Sequence, residues 1–276
     1  SFLIMLSLTR ILALCLLALP ASGAWPLLAD AQSWTGRCYI EIVGDSIPGG
    51  GGGSGPGATY FPQTISNAIV TASGVTGIKV FNHAIGGTRW YQWQAQVTNA
   101  FTNSPRWLFA HWGRNDLINF PECFTNSLQV YPCAWPYLTT NMNALAAACA
   151  AANVKLLLGE VLPAYTNFAP VPPGNEFSAS GIRLLNAAYE NWCVTNVHSS
   201  ITKFVRQHDQ FAVVNPYTAA LDWLNPTYHQ SVSDQVHLSN AAYDMWGPYF
   251  VAFMGRHYSG LPYGIGGVPV TIRTNH

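Results

Sequence analysis

Charged side chains are scarce in this chain: twelve Lys and Arg and twelve Asp and Glu make up 9% of 276 residues, and the formal net charge is zero. With no basic excess there is no face to hold a phosphate backbone, so a nucleic-acid partner is not expected. No Cys-x-x-Cys occurs, which leaves a zinc ribbon or a redox pair without support. The apolar run Ile11 to Leu19 is too short to span a bilayer. No internal repeat is visible and no linker divides the chain, so one compact domain is expected. The proline-rich segment Pro163 to Gly174 reads as a long loop at a strand end.

What the chain has is apolar and aromatic bulk: 49% hydrophobic residues, ten Trp and thirteen Tyr. That is enough for a large core, and rings left over at the surface would suit an apolar or sugar-like ligand. Residues 1–23 read as a secretory signal, with Arg10 ahead of the apolar run and Ala21-Ser22-Gly23 before Ala24. A secreted or periplasmic domain is therefore expected over 24–257, followed by a tail at 258–276. Export permits disulfides. Cys123 and Cys133 flank a short loop and form the best candidate bridge; Cys149 with Cys193 is a second candidate, and the odd number of cysteines beyond Cys15 leaves Cys38 over.

From Cys38 onward the chain alternates. Strand-like runs cover Cys38 to Val43, Ile78 to Asn82, Trp107 to Trp112, Val154 to Gly159 and Phe211 to Val214. Helical spacing appears over Tyr60 to Ala72, Trp135 to Ala152 and Ser178 to Val197, with Pro62 and Pro136 suited to first turns. Ser239 can cap a last helix toward Arg256, kinked at Pro248. This order predicts an α/β fold: one mainly parallel five-stranded sheet with helices on both faces.

Chemistry-bearing residues cluster after the strands. Gly44-Asp45-Ser46 follows the first, Asn82-His83-Ala84-Ile85-Gly86-Gly87-Thr88 the second, Gly113-Arg114-Asn115-Asp116 the third, and Asp234-Gln235-Val236-His237 lies beyond the fifth. In open α/β sheets such residues share the carboxyl edge. A serine hydroxyl attacks an acyl carbon only when a base takes its proton, and an imidazole does this best when a carboxylate fixes its tautomer. Ser46, His237 and Asp234 supply that set. The tetrahedral intermediate needs donors at its oxygen, each worth roughly 2.7–4 kcal/mol in the barrier. The backbone N–H of Ser46, that of Gly87 and the side-chain amide of Asn115 are the candidates.

The four blocks, in this order and spacing, resemble the SGNH, or GDSL, hydrolase family from about Cys38 to Arg256. The resemblance implies a three-layer, flavodoxin-like fold, a Ser46–His237–Asp234 triad, oxyanion donors from Ser46, Gly87 and Asn115, and ester hydrolysis with no metal or cofactor. Two features depart from the family pattern: Ala84 and Gly86 occupy the variable places of the second block, which leaves Gly86 or Gly87 as the donor, the family offset from Asn82 favouring Gly87, and Gly49 to Gly53 replaces a stretch richer in side chains.

Other residues have plainer readings. Ser54 lacks the Gly-x-Ser-x-Gly spacing of a nucleophile elbow because Pro56 interrupts it. His83 and His111 border strand ends and read as histidines satisfied by backbone groups, while His198, His208, His229 and His257 read as surface residues. Asp45 and Asp116 brace turns. Trp90, Tyr91 and Trp93, directly after the glycine turn, are expected to offer aromatic walls, and Trp90, Trp93 and Arg114 are the substrate-binding candidates. The expected substrate is a small-molecule or carbohydrate ester, with O-acetylated carbohydrate ahead of lipid or aryl esters. Acyl transfer to an alcohol and a non-catalytic carbohydrate-binding role stand as alternatives.

Overall fold

The computed structural model describes residues 31–49, 57–119, 135–163, 179–214, 221–228, 230 and 237–258. The signal-like segment, the C-terminal tail, Ser54, His229, Asp234 and the Cys123–Cys133 loop lie outside the described residues. The strands are β1 (Cys38–Gly44), β2 (Lys79–Asn82), β3 (Trp107–His111), β4 (Lys155–Gly159), β5 (Thr202–Val205), β6 (Ala212–Val214) and β7 (Leu221–Leu224). The helices are α1 (Ser46–Gly49), α2 (Gly57–Ser73), α3 (Trp93–Thr102), α4 (Arg114–Asn119), α5 (Trp135–Ala151), α6 (Ala179–Thr195), α7 (His208–Phe211) and α8 (Asn240–Tyr258).

Five strands form one sheet in the order β2-β1-β3-β4-β5, every neighbouring pair parallel. This is the flavodoxin-like order, whose direction of winding reverses between β1 and β3. Parallel strands covered on both faces read as continuous apolar runs. β1 and β3 are buried along their whole lengths, while the edge strand β2 is not. Successive side chains on a strand face opposite ways. Leu108 and Ala110 accordingly join one core with α3, α5 and α6, whereas Trp107 and Phe109 join the other with α2 and α8. In the second core, Phe61 stacks on Trp246 at 4.2 Å between ring centroids, and Phe250 meets Phe109 at 4.7 Å. Among the described residues the aromatic bulk goes largely into these two layers. Glu41 is the exception within β1, a fully buried carboxylate that accepts from Asn103 Nδ2 at 2.6 Å and from the Cys38 thiol at 3.4 Å.

Three expectations change. The fifth parallel strand is Thr202–Val205, whereas Ala212–Val214 pairs antiparallel with β7 in a separate two-stranded sheet. Thr202–Val205 is only four residues long and sends Phe204 and Val205 to opposite cores, so no apolar run betrays it. Pro62 lies inside α2 and not in its first turn. Cys149 and Cys193 are not bridged: both are free, as is Cys38, and all three are buried. Burial pushes the Cys149 and Cys193 thiols up, which leaves them small, inert core residues. Among the described residues no helix is long and apolar enough to cross a membrane.

Candidate active site

Gly44 is the pivot of the carboxyl edge. It ends β1 opposite His111 of β3 with φ 155°, and a Cβ there would stand 2.3 Å from the His111 carbonyl oxygen. Only glycine fits. The next residue, Asp45, donates its N–H to that same carbonyl at 3.2 Å and turns its buried carboxylate to cap α1, accepting from Ile47 N at 3.0 Å. Ser46 opens α1 and is half-buried. Two distant residues hold this turn: Tyr243 of α8 donates its hydroxyl to the Ile47 carbonyl at 2.6 Å, and Asn82 Nδ2 donates to the Pro48 carbonyl at 2.7 Å.

The loop after β2 closes on the same pivot. Asn82 Oδ1 accepts from Ala84 N at 2.9 Å, and Ile85 N donates to the Gly44 carbonyl at 3.0 Å. Thr88 N then bonds back to the Ile85 carbonyl at 3.3 Å, closing a turn whose third residue, Gly87, has φ 77°. A turn of this kind needs glycine at that place. The Thr88 hydroxyl lies 3.0 Å from the Gly44 carbonyl and accepts from Trp112 Nε1 at 3.1 Å. Gln96, which the sequence reading passed over, bonds both sides of Gly44: its Oε1 accepts from Gly44 N at 2.8 Å and its Nε2 donates to Gly44 O at 3.0 Å. The clue was one polar residue on the apolar face of Trp93, Val97 and Ala100.

The third block joins through Asn115, whose Nδ2 donates to the Thr88 carbonyl at 2.9 Å. Asp116, buried, accepts from Trp90 N and from the Tyr137 hydroxyl, each at 3.2 Å. It therefore braces the neighbouring loop rather than its own. His237 precedes α8, half-buried, with its carbonyl accepting from Gln230 N at 2.9 Å. Leu238 beside it is buried in the second core. Ser239 caps α8, its Oγ accepting from Ala242 N at 3.4 Å. The Tyr243 bond to Ile47 ties this same helix to the Ser46 turn.

The sequence profile of the GDSL-like lipase/acylhydrolases matches residues 42–245, well over half of the chain. The chain belongs to that family. Membership places it among the ester-hydrolysing serine hydrolases. Solved structures agree in fold. A GDSL-like lipase from Bacteroides thetaiotaomicron superposes with a TM-score of 0.52 at 20% identity, covering 84% of this chain and 97% of its own. A putative acylhydrolase from Bacteroides fragilis gives 0.53 at 16%, covering 83% and 94%. A catalytic mutant of an acetylxylan esterase from Geobacillus stearothermophilus gives 0.55 at 18%, covering 80% and 95%. No curated protein sequence is significantly similar to the chain.

In this acylhydrolase the three residues expected to bind substrate are inside. Trp90 is 1% exposed and donates its Nε1 to the Tyr189 hydroxyl at 2.5 Å, and Trp93 is buried in the first core. Arg114 is buried and donates Nη2 to the carbonyls of Leu162 at 2.8 Å and Pro163 at 3.0 Å, so it braces the loop after β4. Burial lowers its guanidinium to about 10, against the pull of Asp45. Tyr91, between the two tryptophans, is 50% exposed. His111 meets the Glu160 backbone carbonyl at 3.1 Å as expected, whereas His83, expected to be satisfied by backbone, instead lies 3.1 Å from the buried Glu41 carboxylate. His208, expected at the surface, is buried, with its backbone N–H donating to the Glu160 carboxylate at 2.6 Å.

Desolvation pushes the Asp116 carboxyl from its ordinary 3.8 up to about 7, although the Trp90 and Tyr137 hydrogen bonds favour the charged form. A carboxyl raised on folding binds its proton better in the native state, so this group's contribution to stability is complete below pH 3.8 and is lost as pH rises toward 7. Asp116→Asn keeps an acceptor for Trp90 N and removes the titration. The melting temperature of the variant minus that of the wild type should therefore rise between these limits, and a constant difference in thermal scans would refute the assignment.

Proposed function

We propose that the chain hydrolyses carboxylic esters through an acyl-enzyme on Ser46, with His237 as general base and Asp234 as the carboxylate that orients it. One observation carries this reading. The Gly44 carbonyl, two residues before Ser46, takes Ile85 N at 3.0 Å and lies 3.0 Å from the Thr88 hydroxyl, and the Thr88 carbonyl takes Asn115 Nδ2 at 2.9 Å. Three separate blocks thus meet in one hydrogen-bond network around the Ser46 turn, and Tyr243 ties α8, which follows His237 in the chain, to the same turn.

The steps follow from these groups. Ser46 Oγ attacks the ester carbon as His237 takes its proton. The oxyanion lies against the N–H groups of Ser46 and Gly87 and the Asn115 amide. Collapse breaks the ester C–O bond, and the alcohol leaves with the proton from His237. Water, deprotonated by the same imidazole, then releases the acid and restores Ser46. Short acyl esters, O-acetylated carbohydrate foremost, are the proposed substrates, and the signal-like pattern of residues 1–23 supports export. A serine-directed fluorophosphonate tests the reading: the folded protein should take up one equivalent on Ser46, located by peptide mass mapping, and lose nitrophenyl acetate hydrolysis in parallel. A folded protein that hydrolyses nothing and stays unlabelled refutes it.

A further inference from the structure

The segment after the glycine turn is held at each successive residue by a side chain. Thr88 O takes Asn115 Nδ2 at 2.9 Å, and Arg89 N donates to Gln92 Oε1 at 3.0 Å. Trp90 N donates to Asp116 Oδ1 at 3.2 Å, and Tyr91 N donates to the Tyr137 hydroxyl at 3.0 Å. That hydroxyl donates onward to Asp116. Taking a carboxylate fully out of water is costly, and here it fixes two consecutive backbone N–H groups, one directly and one through Tyr137.

What this anchored backbone presents is a ring with a cation on it. Tyr91 is 50% exposed, and the Arg89 guanidinium carbon stands 5.0 Å from its ring centroid with Nη2 3.4 Å from its hydroxyl. Among the described residues no carboxylate lies within 4.0 Å of Arg89. Stacking on the ring pre-orients a planar fork of donors, the geometry that binds a carboxylate in bidentate fashion. Arg89 is two residues beyond Gly87, within about 7 Å along the backbone. A short acyl group has neither ring nor charge with which to use such a platform. The alcohol part of the ester has room for both.

We propose that Arg89 and Tyr91 form the recognition surface for the alcohol part of the substrate, and that this alcohol is a sugar acid, its ring against Tyr91 and its carboxylate on Arg89. The inference rests on the esterase reading above. The test compares kcat/KM on an O-acetylated galacturonate oligosaccharide and an O-acetylated xylooligosaccharide of equal length. The wild type should favour the acidic ester, and the preference should shrink as salt is raised. Arg89→Gln should lower the acidic-to-neutral ratio roughly 10–100-fold, mainly through KM, and Arg89→Lys should restore part of it. Tyr91→Ala should weaken both sugar esters. A wild type that cleaves both esters equally well, or a ratio unmoved by Arg89→Gln, overturns the recognition surface while leaving the triad standing. A wild type that cleaves neither ester, with Ser46 unlabelled by fluorophosphonate, overturns the triad itself and the recognition surface with it.

Discussion

Ser46→Ala and His237→Ala should each lower kcat for nitrophenyl acetate by roughly 10⁴-fold or more, with the double variant little worse than either. In the proposed mechanism the hydroxyl and the imidazole perform one event, transfer of a proton as the Ser46–carbon bond forms, so removing either leaves nothing for the other to do. Residual activity is expected from the proposed oxyanion donors, which keep their places: Gly87 in its turn and Asn115 on the Thr88 carbonyl. Steady-state kinetics of the three variants checks this. Losses that multiply would mean that Ser46 and His237 act at separate steps.

Gly44→Ala should be the most damaging single-methyl change on the carboxyl edge. The added Cβ would meet the His111 carbonyl oxygen at 2.3 Å and Pro48 Cγ at 2.8 Å, and the first of these is backbone of a central strand. Neither β3 nor the capped Ser46 turn can retreat without breaking the Asp45 N to His111 O bond and the ladder beside it. With an L side chain also disfavoured at φ 155°, the expected cost is roughly 2–4 kcal/mol. Denaturant unfolding should show an earlier midpoint at unchanged slope, and any folded fraction should be inactive because the turn carrying Ser46 has moved. Wild-type stability in this variant would show that the β1–β3 edge is looser than its packing indicates.

Local pattern was enough for most of the scaffold. Apolar runs located β1, β3 and β4, since strands covered on both faces need nothing else to be recognised, and the β-branched and aromatic residues of Ile78 to Asn82 located the partly exposed edge strand β2. Helical spacing located α2, α5 and α6, and the Ser239 cap located α8, each within a few residues of its ends. The short helix α3 was missed, because Trp93 and its neighbours read as a binding surface when taken alone. Their burial depends on partners remote in sequence: the hydroxyl that receives Trp90 Nε1 belongs to Tyr189, 99 residues away. Arg114 is similar, with acceptors 48 and 49 residues downstream.

The sequence by itself determined the layered α/β architecture, the family and the four blocks that carry the candidate chemistry, because backbone periodicity and turn preference are properties of neighbours along the chain. Tertiary structure alone decided that Trp90, Trp93 and Arg114 turn inward while Tyr91 stays exposed with the half-buried Arg89 over its ring, that Thr202–Val205 completes the sheet, and that Gln96 holds the pivot. Burial and hydrogen-bond satisfaction are settled by whatever packs across the gap, and only the fold brings those partners together.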